Sequence, residues 1–459
     1  MFGKASIAAV SLLALTATAA PLEGFNLDPM VKRTLQTRSD EVHVTSHKPA
    51  PFTSSRTPSR SSGHVMNLKK RSSNGPNTRS AAHKLNRRGA KSSKSATLRS
   101  LEKGSEYATS ITFGNQTLEV IVDTGSSDTW APELGFKCYD IESNNRTSTA
   151  NCAFGPGRYA PSKSFKRIPG EVMTIGYGDG EYGSGYMGYE NVTLAGISVN
   201  QTIGVISRAA WTGDDLTSGL VGLAYPAETG ASNTTTHKEK VYDPIFTSMY
   251  KQGLVDSYFS LAISRNVSGD AGYLTLGGLP PIDFNETWAS TDIIVTNVAD
   301  YDKGMDFYTI NIDGLKMNGK TLKKSGGKKN QYMVDSGTTL NYYPTTAANE
   351  LANAFHPKAT RNEDGTYEVD CDAKAPSHAI TIDGTTFNIN PLDMILYNGE
   401  DDDGNVVCQT GFVDNQESAS EDVFILGDTF LKNVVAVFDV GASEMLFAPN
   451  EQYNNNDIY

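Results

Sequence analysis

Short hydrophobic runs broken by polar residues fill most of the chain after residue 100. Examples are YATSITFGN, EVMTIGYGD, ENVTLAGISV, YFSLAIS, GYLTLGG, FYTINIDGLKMNG and VVAVFDVGASEMLFAP. Gly, Asn, Asp or Pro bounds each run, which is typical of short β-strands joined by turns. Only a few windows have a helical pattern, among them 243–255 and 344–355, which both have Pro near a helix start. The sequence therefore predicts an all-β fold with few short helices.

Two of the hydrophobic runs end in an acidic residue. VIVDTGSS contains Asp123, and YMVDSGTT contains Asp335, 212 positions later. A buried carboxylate costs free energy unless partners compensate for its lost hydration. A second apolar motif follows each: GLVGLAYP places Gly222 99 positions after Asp123, and FILGDTF places Gly427 92 positions after Asp335. This internal repeat predicts two homologous β-lobes, each contributing one carboxylate to a shared cleft.

With these motifs in this order, the sequence resembles the pepsin-like aspartic proteases over essentially all of residues 100–450. VDTGSSDTWAP and VDSGTTL match the two active-site motifs, and YGDGEYGSG matches the flap. GLVGLAYP and FILGDTFLKNVVAVFD match the loops beneath the aspartates. The resemblance implies a bilobal fold with its active site between the lobes, aspartic-type endopeptidase activity, and no need for a cofactor or metal.

The expected catalytic residues are Asp123 and Asp335. One carboxylate activates a water and the other protonates the scissile carbonyl, as general base and general acid. Two carboxylates so close cannot both ionise cheaply, a behaviour already described for aspartic proteases as a class. The neighbouring residues are expected to support the two carboxyl groups. The absence of a side chain at Gly125 and Gly337 lets backbone amides approach them, and the hydroxyls of Ser126 and Thr338 can hydrogen-bond the outer carboxyl oxygens. Thr124 and Ser336 are expected to connect the two loops to each other.

The stretch IGYGDGEYGSG is expected to form a hairpin over the cleft. Tyr177 matches the flap tyrosine of the family and Trp130 its hydrogen-bond partner; the alternative is two ordinary core aromatics. From Gly178 the stretch is formally a G-x-G-x-x-G motif, but a strand pattern follows it, which disfavours nucleotide binding. Asp179 stands where some fungal members that accept Lys before the cut also carry Asp.

The resemblance also implies a pocket for the residue before the scissile bond. The positions that correspond to its lining are Trp211, Leu216 and Leu220. Residues of these types are more often simply part of a core.

The first 88 residues are expected to be removed. Residues 1–19 have the charge, apolar stretch and small-residue end of a secretory signal peptide. Residues 20–88 contain 13 Lys and Arg against 4 Asp and Glu, a net charge of +9. The whole chain has a net charge of −12, so once the +9 of this segment and the +1 of Lys4 are subtracted, residues 89–459 carry a net charge of −22. A basic arm could bind nucleic acid, but behind a signal peptide it is better explained as an inhibitory propeptide cut after Arg88.

We expect lobes over 89–281 and 282–459. A propeptide lysine could block the aspartates, and the sequence leaves three candidates, Lys69, Lys70 and Lys84. Whether the cut at Arg88 is autocatalytic or made by a convertase stays open.

The cysteines fit a secreted protein. Disulfides between sequence neighbours, Cys138 with Cys152 and Cys371 with Cys408, are favoured over the other connectivities and over zinc, because no pair has the short spacing of a zinc site. The acidic run NGEDDDGNVV does not match an EF-hand loop. Candidate glycosylation sequons begin at Asn115, Asn145, Asn191, Asn200, Asn233, Asn266 and Asn285.

The prediction is thus an extracellular, monomeric endopeptidase with protein or peptide substrates and its own propeptide as inhibitor, and without nucleic acid or a membrane anchor. A vacuolar enzyme is the alternative location. A catalytically inactive pepsin fold that serves as a binding or inhibitor protein is the alternative function; such a protein would be expected to lack an aspartate or the flap tyrosine, yet Asp123, Asp335 and Tyr177 are all present.

Overall fold

Strands dominate the fold, which confirms the all-β prediction. The structure is a computed structural model and describes residues 94–101, 104–177, 180–266, 268–294, 305–325, 331–401, 403–416 and 424–450. The expected signal peptide and propeptide, with Arg88, lie outside the described residues, as do Gly178 and Asp179.

The described residues form three α-helices: α1 Ile245–Lys251, α2 Thr345–Ala352 and α3 Asp428–Leu431. The first two fall in the predicted windows, and each starts directly after a proline, Pro244 or Pro344. The sequence pattern did not predict α3. Short 3-10 helices cover Thr149–Cys152, Pro226–Glu228 and Pro391–Met394. None of the helices in the described ranges is long and apolar enough to cross a membrane.

The strands before residue 280 are β1 Ser95–Leu101, β2 Glu106–Phe113, β3 Gln116–Asp123, β4 Thr129–Cys138, β5 Lys166–Gly176, β6 Tyr182–Leu194, β7 Ile197–Ala210, β8 Leu220–Gly222, β9 Ala231–Asn233, β10 Tyr258–Ile263 and β11 Gly269–Leu276. Those after it are β12 Ala289–Asp292, β13 Thr309–Asn311, β14 Gly314–Met317, β15 Lys320–Thr321, β16 Gln331–Val334, β17 Asn341–Tyr343, β18 Thr360–Arg361, β19 Tyr367–Val369, β20 His378–Ile382, β21 Thr385–Ile389, β22 Ile395–Glu400, β23 Val406–Thr410, β24 Phe412–Asp414, β25 Phe424–Leu426, β26 Val434–Asp439 and β27 Glu444–Pro449.

One large sheet joins the two halves of the chain. Its order is β12-β27-β26-β10-β11-β1-β2-β3-β8-β4-β7-β6-β5-β9, so β26, near the end of the described residues, pairs with β10, which precedes residue 280, while β27 lies between β26 and β12. The pairing of β10 with β26 sets Tyr258 opposite Asp439. Three smaller sheets, β13-β16-β25-β17-β24, β15-β14-β20-β21 and β18-β19-β23-β22, are built only from strands after β12.

The internal repeat is visible in the strand pairing. The strand that ends in Asp123, β3, lies parallel to β8, with Asp123 opposite Gly222. The strand before Asp335, β16, lies parallel to β25. The strand that follows each of these aspartates then pairs antiparallel with the same partner: β4 with β8, and β17 with β25. Both acidic residues therefore leave equivalent strands of equivalent three-stranded units.

Both disulfides have the predicted connectivity. Cys138 is bonded to Cys152, and Cys371 to Cys408. Among the candidate sequons, five asparagines are exposed and two are half-buried, Asn233 and Asn266.

Candidate active site

Asp123 and Asp335 lie side by side at the junction of the two acidic loops. Both side chains are almost completely buried, with 1% and 0% of their surface exposed, and the two carboxyl groups hydrogen-bond each other. A hypothetical Cβ on Gly125 would lie 2.5 Å from the Asp335 carboxyl group. One on Gly337 would lie 2.5 Å from Asp123 Oδ1. Each carboxyl group therefore sits against the backbone of the opposite loop, where only glycine fits.

Each carboxyl group receives the same two local hydrogen bonds. The N–H of Gly125 donates to Asp123 Oδ1 at 2.7 Å, and the N–H of Gly337 donates to Asp335 Oδ1 at 2.8 Å. The outer oxygens accept from hydroxyls: Ser126 donates to Asp123 Oδ2, and Thr338 donates to Asp335 Oδ2 at 2.6 Å. These donors offset part of the free-energy cost of burial.

Thr124 and Ser336 connect the two loops directly. The Thr124 hydroxyl donates to the Val334 carbonyl oxygen at 3.1 Å and accepts from the Ser336 N–H at 2.9 Å. The Ser336 hydroxyl donates to the Val122 carbonyl oxygen at 2.9 Å and accepts from the Thr124 N–H at 3.2 Å. These four bonds between residues more than 200 positions apart fix the relative position of the two carboxyl groups.

Burial raises the pKa of both carboxyl groups above the usual value for aspartate. For Asp123 the negative charge of Asp335 raises the pKa further, since two adjacent carboxylates repel each other. The pair therefore retains one shared proton at pH values where an isolated aspartate is ionised.

The hairpin tyrosine belongs to an aromatic cluster beside the carboxyl groups. Tyr177 follows β5 directly, is buried, and accepts a hydrogen bond from Trp130 Nε1 at 3.0 Å. Its ring lies 5.5 Å from that of Trp211, and Trp211 lies 5.2 Å from Trp130. Burial and the charge of Asp123 raise the pKa of Tyr177 well above its usual value, so the phenol remains neutral.

The three expected pocket residues have different surroundings. Trp211 and Leu220 are buried in the same hydrophobic cluster as Trp130 and Tyr177. Leu216 is 50% exposed.

Other polar groups near the site were not predicted from the sequence. Asp128, in the first active-site motif, accepts hydrogen bonds from Tyr242 and from the N–H of Gly230. Asp428, in the second apolar motif, is buried, and within the described part of the chain neither of its carboxyl oxygens has a hydrogen-bond partner. Burial raises the pKa of Asp428 well above its usual value. Their place in the motifs was the available signal, since Asp428 directly follows Gly427 and Asp128 lies two positions from both Ser126 and Trp130.

No group of three or more His, Cys, Asp or Glu side chains suited to a metal occurs within the described ranges. The chemistry that the site offers is that of two coupled carboxyl groups, one able to act as an acid while the other acts as a base.

Comparison with known proteins agrees with this geometry. The family model for eukaryotic aspartyl protease matches residues 106–450. A probable aspartic-type endopeptidase of Aspergillus fumigatus is 48% identical over 416 residues, which cover 90% of this chain and 93% of that protein. Rhizopuspepsin-4 of Rhizopus niveus is 30% identical, covering 75% of this chain and 77% of its own. Pepsin A of Sus scrofa is also 30% identical, covering 75% and 81%. The chain thus belongs to the eukaryotic aspartyl protease family and is an aspartic-type endopeptidase.

Proposed function

We propose that this protein is made as a zymogen, is secreted, and cleaves peptide bonds between large apolar residues at acidic pH. The observation that carries the proposal is the pair of buried carboxyl groups of Asp123 and Asp335, which hydrogen-bond each other and have equivalent donors on either side. A water held between them loses a proton to the ionised carboxylate as it attacks the scissile carbonyl carbon. The protonated carboxyl group gives its proton to the carbonyl oxygen, and the two groups exchange roles as the tetrahedral intermediate collapses.

Acidic pH is proposed because the mechanism needs exactly one proton on the pair. Above the raised pKa of the pair both carboxyl groups ionise, and the general acid is lost. Tyr177 and the aromatic residues around it form a buried apolar cluster near Asp123, and a cleft bordered by this cluster favours large apolar substrate side chains.

The test of the catalytic pair is hydrolysis of a peptide with two large apolar residues at its centre, at about pH 4. Asp123→Asn and Asp335→Asn should each lower kcat by at least about 10³-fold, because either change removes half of the acid–base pair. Asp439→Asn is the matched control: it keeps the oxygen that accepts from the Ala442 N–H at 2.9 Å, in the turn between β26 and β27. Substantial activity in either active-site variant would refute the assignment.

Zymogen control is proposed from charge. Residues 20–88 carry +9 and residues 89–459 carry −22, so the arm and the body attract each other near neutral pH. Towards about pH 4 the carboxylates become protonated while the arm keeps its charge, and the attraction weakens. With Arg87→Ala and Arg88→Ala, a shift from pH 7 to pH 4 should still release the propeptide and increase activity. If it does not, processing by a convertase at Arg87-Arg88 is the switch.

A second specificity is proposed for Asp179. A carboxylate at Asp179 would attract a lysine side chain before the scissile bond. Asp179→Ser should then reduce cleavage after Lys and preserve cleavage at apolar sites. Equal relative rates in parent and variant would show that Asp179 plays no part in specificity.

Secretion is proposed from the signal peptide in residues 1–19. Immunodetection in culture medium and in isolated vacuoles distinguishes the extracellular from the vacuolar location.

A further inference from the structure

The segment closed by the Cys138–Cys152 disulfide, residues 138–152, here called the disulfide loop, is an ordered hairpin of its own. The Asn144 N–H donates to the Asp140 carbonyl oxygen at 2.9 Å, and the Asp140 N–H donates to the Asn145 carbonyl oxygen at 2.9 Å. Tyr139 and Arg146 form a β-bridge. At the tip, Asn144 adopts φ 52°, a left-handed conformation that asparagine tolerates better than most residues.

The tip of the disulfide loop contacts the hairpin that carries Tyr177. The described residues at the base of that hairpin, here called the hairpin base, are Tyr177, Gly180, Glu181 and Tyr182. The Tyr182 hydroxyl donates to Asn144 Oδ1 at 2.8 Å. A Cβ built on Gly180 would lie 3.3 Å from Cγ2 of Ile141, so this side chain packs against the backbone of Gly180. The loop therefore contacts the hairpin base through one polar and one apolar contact.

A second set of contacts also anchors the hairpin base. Glu181 is buried, and its Oε1 accepts a hydrogen bond from the N–H of Thr212, next to Trp211. The Tyr177 N–H donates to the Glu181 carbonyl oxygen at 2.8 Å, so the position of Glu181 also determines that of Tyr177. Hence the hairpin base is held both by residue 212 and by the disulfide loop.

The disulfide loop also leads into the aromatic cluster. Phe154, two residues beyond Cys152, stacks on Trp211 with ring centroids 5.7 Å apart and an interplanar angle of 15°. Arg208, at the end of β7, lies over the Tyr139 ring at 4.5 Å. The two cysteines that close the loop are buried in the hydrophobic cluster that contains Trp130, Tyr177 and Trp211, so the loop adjoins this cluster as well as the hairpin base.

We propose that the disulfide loop is a positioning element for substrate binding, with Asn144 and Tyr182 as positioning residues. By holding the hairpin base, they keep Tyr177 in the place where it meets a bound peptide. Without their hydrogen bond the hairpin base occupies this position for a smaller fraction of time, and the apparent affinity for substrate falls by that fraction. This inference rests on the proposed function, because it assigns Tyr177 to the substrate site.

The first test is Tyr182→Phe, measured by KM and kcat for the apolar peptide. KM should rise by about 2- to 10-fold, the contribution of one hydrogen bond, with kcat within about twofold of the parent. Tyr186→Phe is the matched control. Tyr186 lies on the same strand as Tyr182, but its hydroxyl donates at 3.0 Å to Oε2 of Glu133, which is not part of the disulfide loop. The KM of Tyr186→Phe should not change.

The partner residue gives a rescue experiment. Asn144→Gly tolerates the positive φ but lacks the acceptor oxygen, so it should raise KM as Tyr182→Phe does. Asn144→Asp keeps an acceptor and should leave KM near that of the parent. Combining Asn144→Gly with Tyr182→Phe should raise KM no further than either change alone, since both remove the same bond.

The two disulfides provide a second comparison. Replacing Cys138 and Cys152 by serine should lower Tm and raise KM. Replacing Cys371 and Cys408, which close a 37-residue separation elsewhere, should lower Tm alone. If the two double replacements change KM equally, the disulfide loop stabilises the fold but does not position the substrate site.

Binding measurements separate this inference from the proposed function. On an Asp335→Asn background, calorimetry gives the Kd of the same peptide without turnover, and Tyr182→Phe should raise it by the same factor. If the parent cleaves but Tyr182→Phe and Asn144→Gly leave both KM and Kd unchanged, the inference is wrong and the proposed function stands. If the parent fails to cleave, the proposed function is wrong, and the Kd comparison still decides the role of the loop.

Discussion

The two glycines of the acidic loops are the residues at which the site tolerates least change. A Cβ at Gly337 would lie 2.5 Å from Asp123 Oδ1, closer than any real Cβ contact, so the carboxyl groups would have to separate. We predict that Gly337→Ala lowers kcat by at least about 100-fold, since small displacements of catalytic groups are costly. Gly253→Ala is the control: with φ 72° and no atom within 4 Å, it should cost about 1 kcal/mol of stability and leave kcat unchanged. Equal kcat for Gly337→Ala and the parent would contradict the close packing.

The aspartate pair should lower the stability of the folded protein near neutral pH. Both pKa values are raised in the folded protein, so the folded state binds more protons than the unfolded state. The resulting stabilisation is complete below the unfolded pKa of about 4 and is lost as pH rises through the folded values. Asp123→Asn, which remains neutral, should therefore have a higher Tm than the parent at pH 7 and a similar Tm at pH 3.5. A lower Tm at pH 7 would argue that the pair is stable when ionised.

At this scale the sequence was sufficient to predict the residues whose roles depend on local motifs. Thr124 and Ser336 were expected to join the two loops, and they do so through four hydrogen bonds. The contact of Asn144 with Tyr182 could not be predicted, because it depends on how two distant hairpins pack. Asp128 and Asp428 were overlooked although they stand inside recognised motifs.

Among the elements, β17 and β20 are connected by a buried histidine. His378 Nε2 and the Tyr343 hydroxyl are hydrogen-bonded at 2.8 Å, and Nδ1 lies 2.8 Å from the Lys316 carbonyl oxygen. Asn341 donates to Tyr343 and accepts from the Gly427 N–H, so this network reaches the loop beneath Asp335. Burial lowers the pKa of His378 to about 4, so the ring is neutral over most of the acidic range.

This histidine should make the protein less stable as pH falls. Its unfolded pKa is about 6.5, so between pH 6.5 and about 4 the unfolded state binds the extra proton. The free energy of unfolding should fall by about 3 kcal/mol over this range because of His378, and level off below it. His378→Asn removes this slope, although it lowers stability at pH 7. Urea titrations on the Asp335→Asn background measure the difference; parallel pH profiles would contradict the prediction.

How well the elements were predicted depended on how local their determinants are. Both helices that follow a proline were predicted, since Pro fixes the start of a helix. The run ENVTLAGISV does not form a single strand: it divides into the end of β6 and the start of β7, because Ala195 and Gly196 form a turn with φ 52° and 75°. The chain-spanning sheet was not foreseen, since strand order depends on pairing between distant residues.

Across the whole molecule, the interlocked loops should couple the lobes as well as the carboxyl groups. Thr124→Val removes a hydroxyl that bonds both Val334 and Ser336, leaving buried backbone groups unpaired. We predict a loss of about 2–4 kcal/mol of stability together with a lower kcat. Thr109→Val, whose hydroxyl donates to Thr97 within one lobe at 3.0 Å, should cost about 1 kcal/mol and leave kcat unchanged. If Thr124→Val affects stability alone, the loops do not set the geometry of the pair.

The pairing of β10 with β26 also has a consequence for how the protein is made on the ribosome. Domains usually fold one after another as they emerge from the ribosome, starting at the N-terminus. Strand β10, however, lacks its partner β26 until residues 434–439 have been synthesised. Until then the first half of the nascent chain presents an open strand edge, which is a template for aggregation. Residues 434–439 therefore cover the edge of a strand, β10, that was synthesised about 170 residues earlier, and the nascent protein needs protection at that edge throughout the interval.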